Sequence, residues 1–126
     1  MAMRWFSKPQ PKDIWDEPVA GPVGDIEAAH RIRDICRAAA DSAGRLSRAA
    51  GNRPPSEVQR YERAARAAME IAMKISDDLL RDSAVRQIID LCARADDLKT
   101  AGILFRAIQA VSIREEVMRD HPQLRS

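Results

Sequence analysis

The chain has 126 residues, which suits one domain with one core and not two ordinary domains. Apolar residues make up 45% and charged residues 32%, so the chain is globular rather than disordered. A formal charge of only +2 gives no strong pull toward nucleic acid or an acidic membrane. No segment approaches the roughly 20 apolar residues of a membrane helix. Residues 1–6 run into Ser7, Lys8 and Pro9 rather than into an apolar signal core, so a cytoplasmic location with reduced thiols is expected. Arginine far outnumbers lysine and alanine is abundant, a bias that fits a GC-rich bacterial genome and also favours helix.

Residues 1–24 read as an extended arm. Pro9, Pro11, Pro18 and Pro22 remove backbone donors, and Gly21 and Gly24 add turns. The arm carries Trp5, Phe6 and Trp15, three of the five aromatic side chains. Tryptophan dominates binding hot spots, so these three are candidate partner-binding anchors. The competing expectation is that they fold back and cover the chain's own helices or those of a partner subunit.

Residues 25–121 should form a helical bundle domain, with 122–126 as a short tail. A first helix is expected from Asp25, where a carboxylate can cap free amides and Glu27 suits the positive end of the dipole. Its seam is Ala29, Ile32, Cys36, Ala39, Ala43, Leu46 and Ala50, with three- and four-residue intervals alternating as in a heptad. Gly51-Asn52 followed by Pro54-Pro55 ends it. Ser56-Glu57-Val58-Gln59 reads as a capping box opening a second helix. Its seam is Val58, Tyr61, Ala65, Ala68, Ala72, Ile75 and Leu79. Two matched seams with a short connection predict an antiparallel αα-hairpin.

A third helix is expected near Asp82 or Ser83, carrying Val85, Ile88, Ile89, Cys92 and Ala95. A fourth carries Leu98, Ala101, Leu104, Phe105, Ile108 and Val111, with Asp96 or Asp97 capping it; one bent continuous helix is the alternative. Asp120-His121-Pro122 should end the helical part. The expected fold is therefore all-α, an antiparallel bundle of three to four helices built as a long αα-hairpin plus C-terminal helices. Alanine seams let axes approach closely but bury little apolar area per residue. The C-terminal helices or a second copy of the chain must supply the bulk, which makes a homodimer an expectation.

Chemical motifs are few. Glu27-Ala28-Ala29-His30 has the spacing used in di-iron bundles, but His121 has Met118 three positions before it, so a second motif is missing. Cys36 and Cys92 fall on seams, where free cysteine behaves as a small apolar residue. The hairpin end carries Arg45, Arg48, Arg53, Arg60, Arg63 and Arg66 against Glu57 and Glu62. Arginine forks match phosphate geometry, so Arg45, Arg48, Arg53, Arg60 and Arg63 are candidate anion or nucleic-acid contacts. The acidic turn at Asp96-Asp97 should lie at the same end and offset them. The expected function is a non-enzymatic protein–protein interaction or scaffold module, without cofactor, metal, membrane or small-molecule substrate. A small nucleic-acid-associated regulator using the basic hairpin end is the alternative.

Overall fold

The computed structural model describes residues 14–16, 24–49 and 52–124. They form five α-helices and no strand: α1 (Asp25–Ala49), α2 (Pro55–Ala72), α3 (Asp78–Arg94), α4 (Leu98–Ala107) and α5 (Val111–Asp120). Single 3-10 turns occupy Ile14–Asp16 and Pro122–Leu124. Helices α1 and α2 are antiparallel. The C-terminal part of α1 meets the start of α2 through Ser42, Arg45 and Glu57, while Asp25 meets Ser76 just beyond α2 at the other end. Helix α3 packs against both members of the hairpin and also against α4 and α5. It is the centre of the fold, with Ala84, Val85, Ile88, Ile89, Leu91 and Cys92 buried.

The alanine seams are present, turned slightly from the expected register. On α1 the buried face runs Ala28, Ile32, Ile35, Ala39, Ser42, Ala43 and Leu46, and Cys36 is only half-buried. On α2 it runs Tyr61, Ala64, Ala68, Ile71 and Ala72, with Val58 and Ala65 half-buried. Each helix faces more than one neighbour, so the buried stripe is wider than a two-stranded seam. Ala50 and Gly51 of the expected helix end lie outside the described residues.

Several boundaries differ from expectation, each for a local reason. The Ser56 capping box does not form. Helix α2 begins at Pro55, whose fixed φ suits a first helical position, and the preceding Pro54 has no side chain able to cap. Helix α2 ends at Ala72, and Ile75 is buried in the connection rather than in the helix. Helix α3 starts at Asp78, not near Asp82, because Asp77 caps it by accepting from the Leu80 amide at 2.8 Å. Leu79, expected on the α2 seam, is exposed in the first turn of α3.

The break after Arg94 is real, and two helices replace the bent single one. Ala95 ends α3, Asp96 adopts φ 62°, and the Asp97 amide donates to the Cys92 carbonyl at 2.8 Å. This is a Schellman closure in which aspartate occupies the left-handed position usually held by glycine. The Asp97 carboxylate then caps α4 by accepting from the Thr100 amide at 3.2 Å.

A second break, at residues 108–110, raises the helix count above the expected three to four. Asp82, buried within α3, accepts from the amides of Gln109 and Ala110 at 3.1 and 2.9 Å and so holds the corner that opens α5. Arg114 donates to the carbonyls of Phe105 and Ile108, at 3.3 and 2.9 Å, closing the end of α4 from the other side. Helix α5 stops at Asp120 before His121-Pro122, as expected. The tail turn Pro122–Leu124 packs against α4, with Leu124 half-buried.

Candidate functional site

Trp15, expected among the arm's anchors, is buried within this chain. Its ring is 5% exposed, on a turn that packs against both α1 and α2. The Arg60 guanidinium stacks over it at 4.7 Å from the centroid, a cation–π contact. The indole Nε1 is buried without a hydrogen-bond partner. Trp15 therefore supplies bulk to the thin alanine hairpin, at the cost of one unsatisfied donor. Trp5 and Phe6 lie outside the described residues.

The basic hairpin end is committed to contacts inside the fold at three of its five positions. Arg45 pairs with Glu57 at 2.8 Å, and Glu57 also accepts from the Ser42 hydroxyl at 3.1 Å. The Arg45 hydrogen bond in the first place holds the Glu57 carboxyl below its ordinary range. Arg53 donates to the Ala95 carbonyl at 3.3 Å, and Arg60 covers Trp15. Arg48 is exposed, its side chain lying back along Gly44, and Arg63 is exposed and engaged.

The acidic turn does lie at this end. The Tyr61 hydroxyl donates to Asp97 at 2.6 Å. Burial pushes the Asp97 carboxyl up, but hydrogen bonds from Tyr61 and Thr100, with Arg53 nearby, outweigh it and leave the pKa lowered. Burial raises the Tyr61 hydroxyl far above its usual value, with Cys92 and Asp97 adding to the shift. This cluster ties α2, α3 and α4 together without presenting a reactive group.

The remaining motif residues stay apart. Glu27 and His30 are both exposed on α1, and the described residues contain no group of three or more His, Cys, Asp or Glu positioned to hold a metal ion. Cys36 and Cys92 are free thiols. Burial pushes them up to about 12 and about 11 respectively, so both are protonated near neutral pH and are poor nucleophiles. No helix among the described residues is long and apolar enough to cross a membrane.

One surface was not anticipated from the sequence. Between α4 and α5 lies a cavity of about 470 Å³ with Phe105, Val111 and Met118 as its apolar wall and Arg114, Glu115 and Arg119 around it. Arg114 stacks on Phe105 at 4.5 Å from the ring centroid. Val111 is 68% exposed, and Ile103 on α4 is 50% exposed. In sequence Phe105, Ile108 and Val111 read as one helical stripe. The corner held by Asp82 splits that stripe, burying Ile108 and turning Val111 outward. The unmatched signal was Val111-Ser112-Ile113, where apolar residues two apart cannot share one helical face.

The chain matches no protein-family model, no curated protein and no solved structure.

Proposed function

We propose that this chain is a non-enzymatic helical interaction module that associates with a second copy of itself through the α4–α5 groove. The observation that carries this reading is the opening beside Phe105, Val111 and Met118 next to outward-facing apolar side chains on the same two helices. One copy thus offers both an apolar recess and apolar projections. That is what a two-fold interface needs, because each side must be complementary to itself. Arg114, Glu115 and Arg119 give the recess a polar rim with both signs of charge, so paired copies can match Arg to Glu. A nucleic-acid role has weaker support, since Arg45, Arg53 and Arg60 point at Glu57, a backbone carbonyl and Trp15.

Sedimentation equilibrium of the full chain at micromolar concentrations tests the proposal. A species of twice 14.1 kDa is expected, reverting to 14.1 kDa in Val111→Arg and unaffected by Ser47→Arg on the exposed face of α1. A single 14.1 kDa species at high micromolar concentration, or a dimer indifferent to Val111→Arg, overturns it.

A further inference from the structure

Between α1 and α3 lies a second, open cavity, of about 230 Å³, that none of the features above explains. Arg33 and Arg37 line it from α1, and Gln87, Asp90 and Arg94 from α3, with Cys36 in its wall. Arg33 and Arg37 are four residues apart on one helix, a spacing at which like charges repel. The charges are poorly compensated. Arg33 reaches Asp34 Oδ1 only through two long contacts, from Nε and Nη2 at 3.4 Å each, and neither Arg37 nor Arg94 forms an ion pair with any described residue. Asp90 is the single carboxylate of the lining, and its Oδ1 is engaged by His121 Nε2 at 2.7 Å. The Cys36 thiol, kept protonated by burial, adds no negative charge.

Three guanidinium groups around a cavity with one engaged carboxylate form a site for a small anion carrying more than one negative charge. We infer that this groove binds a phosphoryl group, free or as the terminal phosphate of a small ester, through Arg37 and Arg94, with Arg33 and Gln87 completing the donor set. Guanidinium forks donate in pairs to phosphate oxygens, and the Gln87 amide offers further N–H donors. The size agrees. The cavity exceeds the ~30 Å³ of one water several-fold, yet lies below the roughly 300 Å³ at which sites for drug-sized ligands begin. This inference is independent of the self-association proposed above, which uses other helices.

The test is titration of the full chain, in phosphate-free buffer, with inorganic phosphate and with glycerol phosphate, read by calorimetry and by phosphorus NMR. One saturable site is expected for at least one of the two probes. Arg37→Gln and Arg94→Gln should each weaken it by about tenfold or more, as expected for losing a charge-assisted hydrogen-bonding group. Arg106→Gln, exposed on α4 away from the groove, should leave it unchanged. Tighter binding of the free ion or of the ester identifies the source of the phosphoryl group. All three positions are exposed, so unchanged circular dichroism and thermal melting of the variants are expected and confirm that the fold is intact. Absence of saturable binding by either probe, or binding that survives both Arg37→Gln and Arg94→Gln, overturns the inference.

Discussion

The α1–α2 hairpin and the α3–α5 half solve the packing problem in different ways. The hairpin buries Ile32, Ile35, Leu46, Tyr61 and Ile71, but it intersperses them with Ala28, Ala39, Ala43, Ala64, Ala68 and Ala72, small side chains that permit close helix approach and release little apolar surface from water. Its stability depends on additions from outside the seam. Trp15 covers it on one side, α3 on another, and polar ties close its ends at Glu57 and Asp25. The C-terminal half is built from Ile88, Ile89, Leu91, Leu104, Ile108, Ile113 and Val117, yet leaves Ile103 and Val111 facing outward. Bulk and closure are separate properties of the two halves. The hairpin's alanine seam is covered, although Ile26 and Met73 stand exposed at its Asp25–Ser76 end, whereas the C-terminal half keeps an apolar opening lined by Phe105, Val111 and Met118.

The contrast can be broken most strongly in α3. Ile88 is fully buried, and Ile88→Ala should cost about 2–5 kcal/mol in urea unfolding through lost burial and a residual cavity. The hairpin should fail in the opposite direction. Ala39→Leu, at a position with no exposure, should cost about 1–3 kcal/mol because there is no room for the added atoms. A tolerated Ala39→Leu would show that the hairpin is loosely packed.

Trp15 provides a finer test. Trp15→Ala should destabilise by about 2–4 kcal/mol, in or somewhat below the range for core aromatics because the turn lies at the rim of the core. Trp15→Phe should retain most of that stability, since it keeps a ring under Arg60 and removes the unpartnered N–H. Equal losses in the two variants would show that a phenyl ring cannot replace the indole beneath Arg60.

The polar ties predict a pH dependence. Asp25 is lowered first by the Ser76 amide and also by the Ser76 hydroxyl and the Asp77 amide. Glu57 is lowered first by Arg45, and Asp97 is lowered against its own burial by Tyr61 and Thr100. All three carboxyls are below their ordinary values of 3.8 for Asp and 4.5 for Glu, so the folded state holds their charged forms preferentially. Their contribution is fully present above those values and is lost as pH falls through and below them. Urea midpoints should be flat near neutrality and fall below about pH 4.5, and Asp97→Asn should make that fall shallower.

The smallest effect belongs to the α3–α4 corner. Asp96 holds φ 62°, where glycine carries no steric penalty, so Asp96→Gly should stabilise by about 0.5–1 kcal/mol, read as a rise in the unfolding midpoint. A loss would show that the Asp96 side chain contributes more than its backbone strain costs.

Much of this fold was legible because helical periodicity is a local property. The three-four alternation placed α1 and α2, and the acid pair at Asp96-Asp97 marked the α3–α4 corner. The misplaced features depend on distant residues. The sequence around Asp25 predicts a cap for its own helix, but the carboxylate accepts from Ser76 and Asp77, 51 and 52 positions away. Asp82 looks in sequence like a helix start, but it is buried in α3 and holds amides 27 and 28 positions later. An aspartate looks the same in sequence whether it caps the next turn or one across the molecule. The sites divide in the same way. Composition located the arginines at the hairpin end, but their partners Glu57, the Ala95 carbonyl and Trp15 come from other segments. The α4–α5 groove lies beside the corner where Asp82 holds the Gln109 and Ala110 amides and one apolar stripe divides into two helices.

The most direct test of the central claim is site-specific photo-crosslinking in the native cell extract, with the crosslinker replacing Val111 in one preparation and Ser47 in another. Both positions are exposed, one beside the apolar opening and one on the closed hairpin. A discrete adduct at twice the 14.1 kDa of the chain from position 111, and none from position 47, is predicted. No adduct at position 111, an adduct of another mass, or the same adducts from both positions would contradict the claim that two copies of the chain meet at this groove.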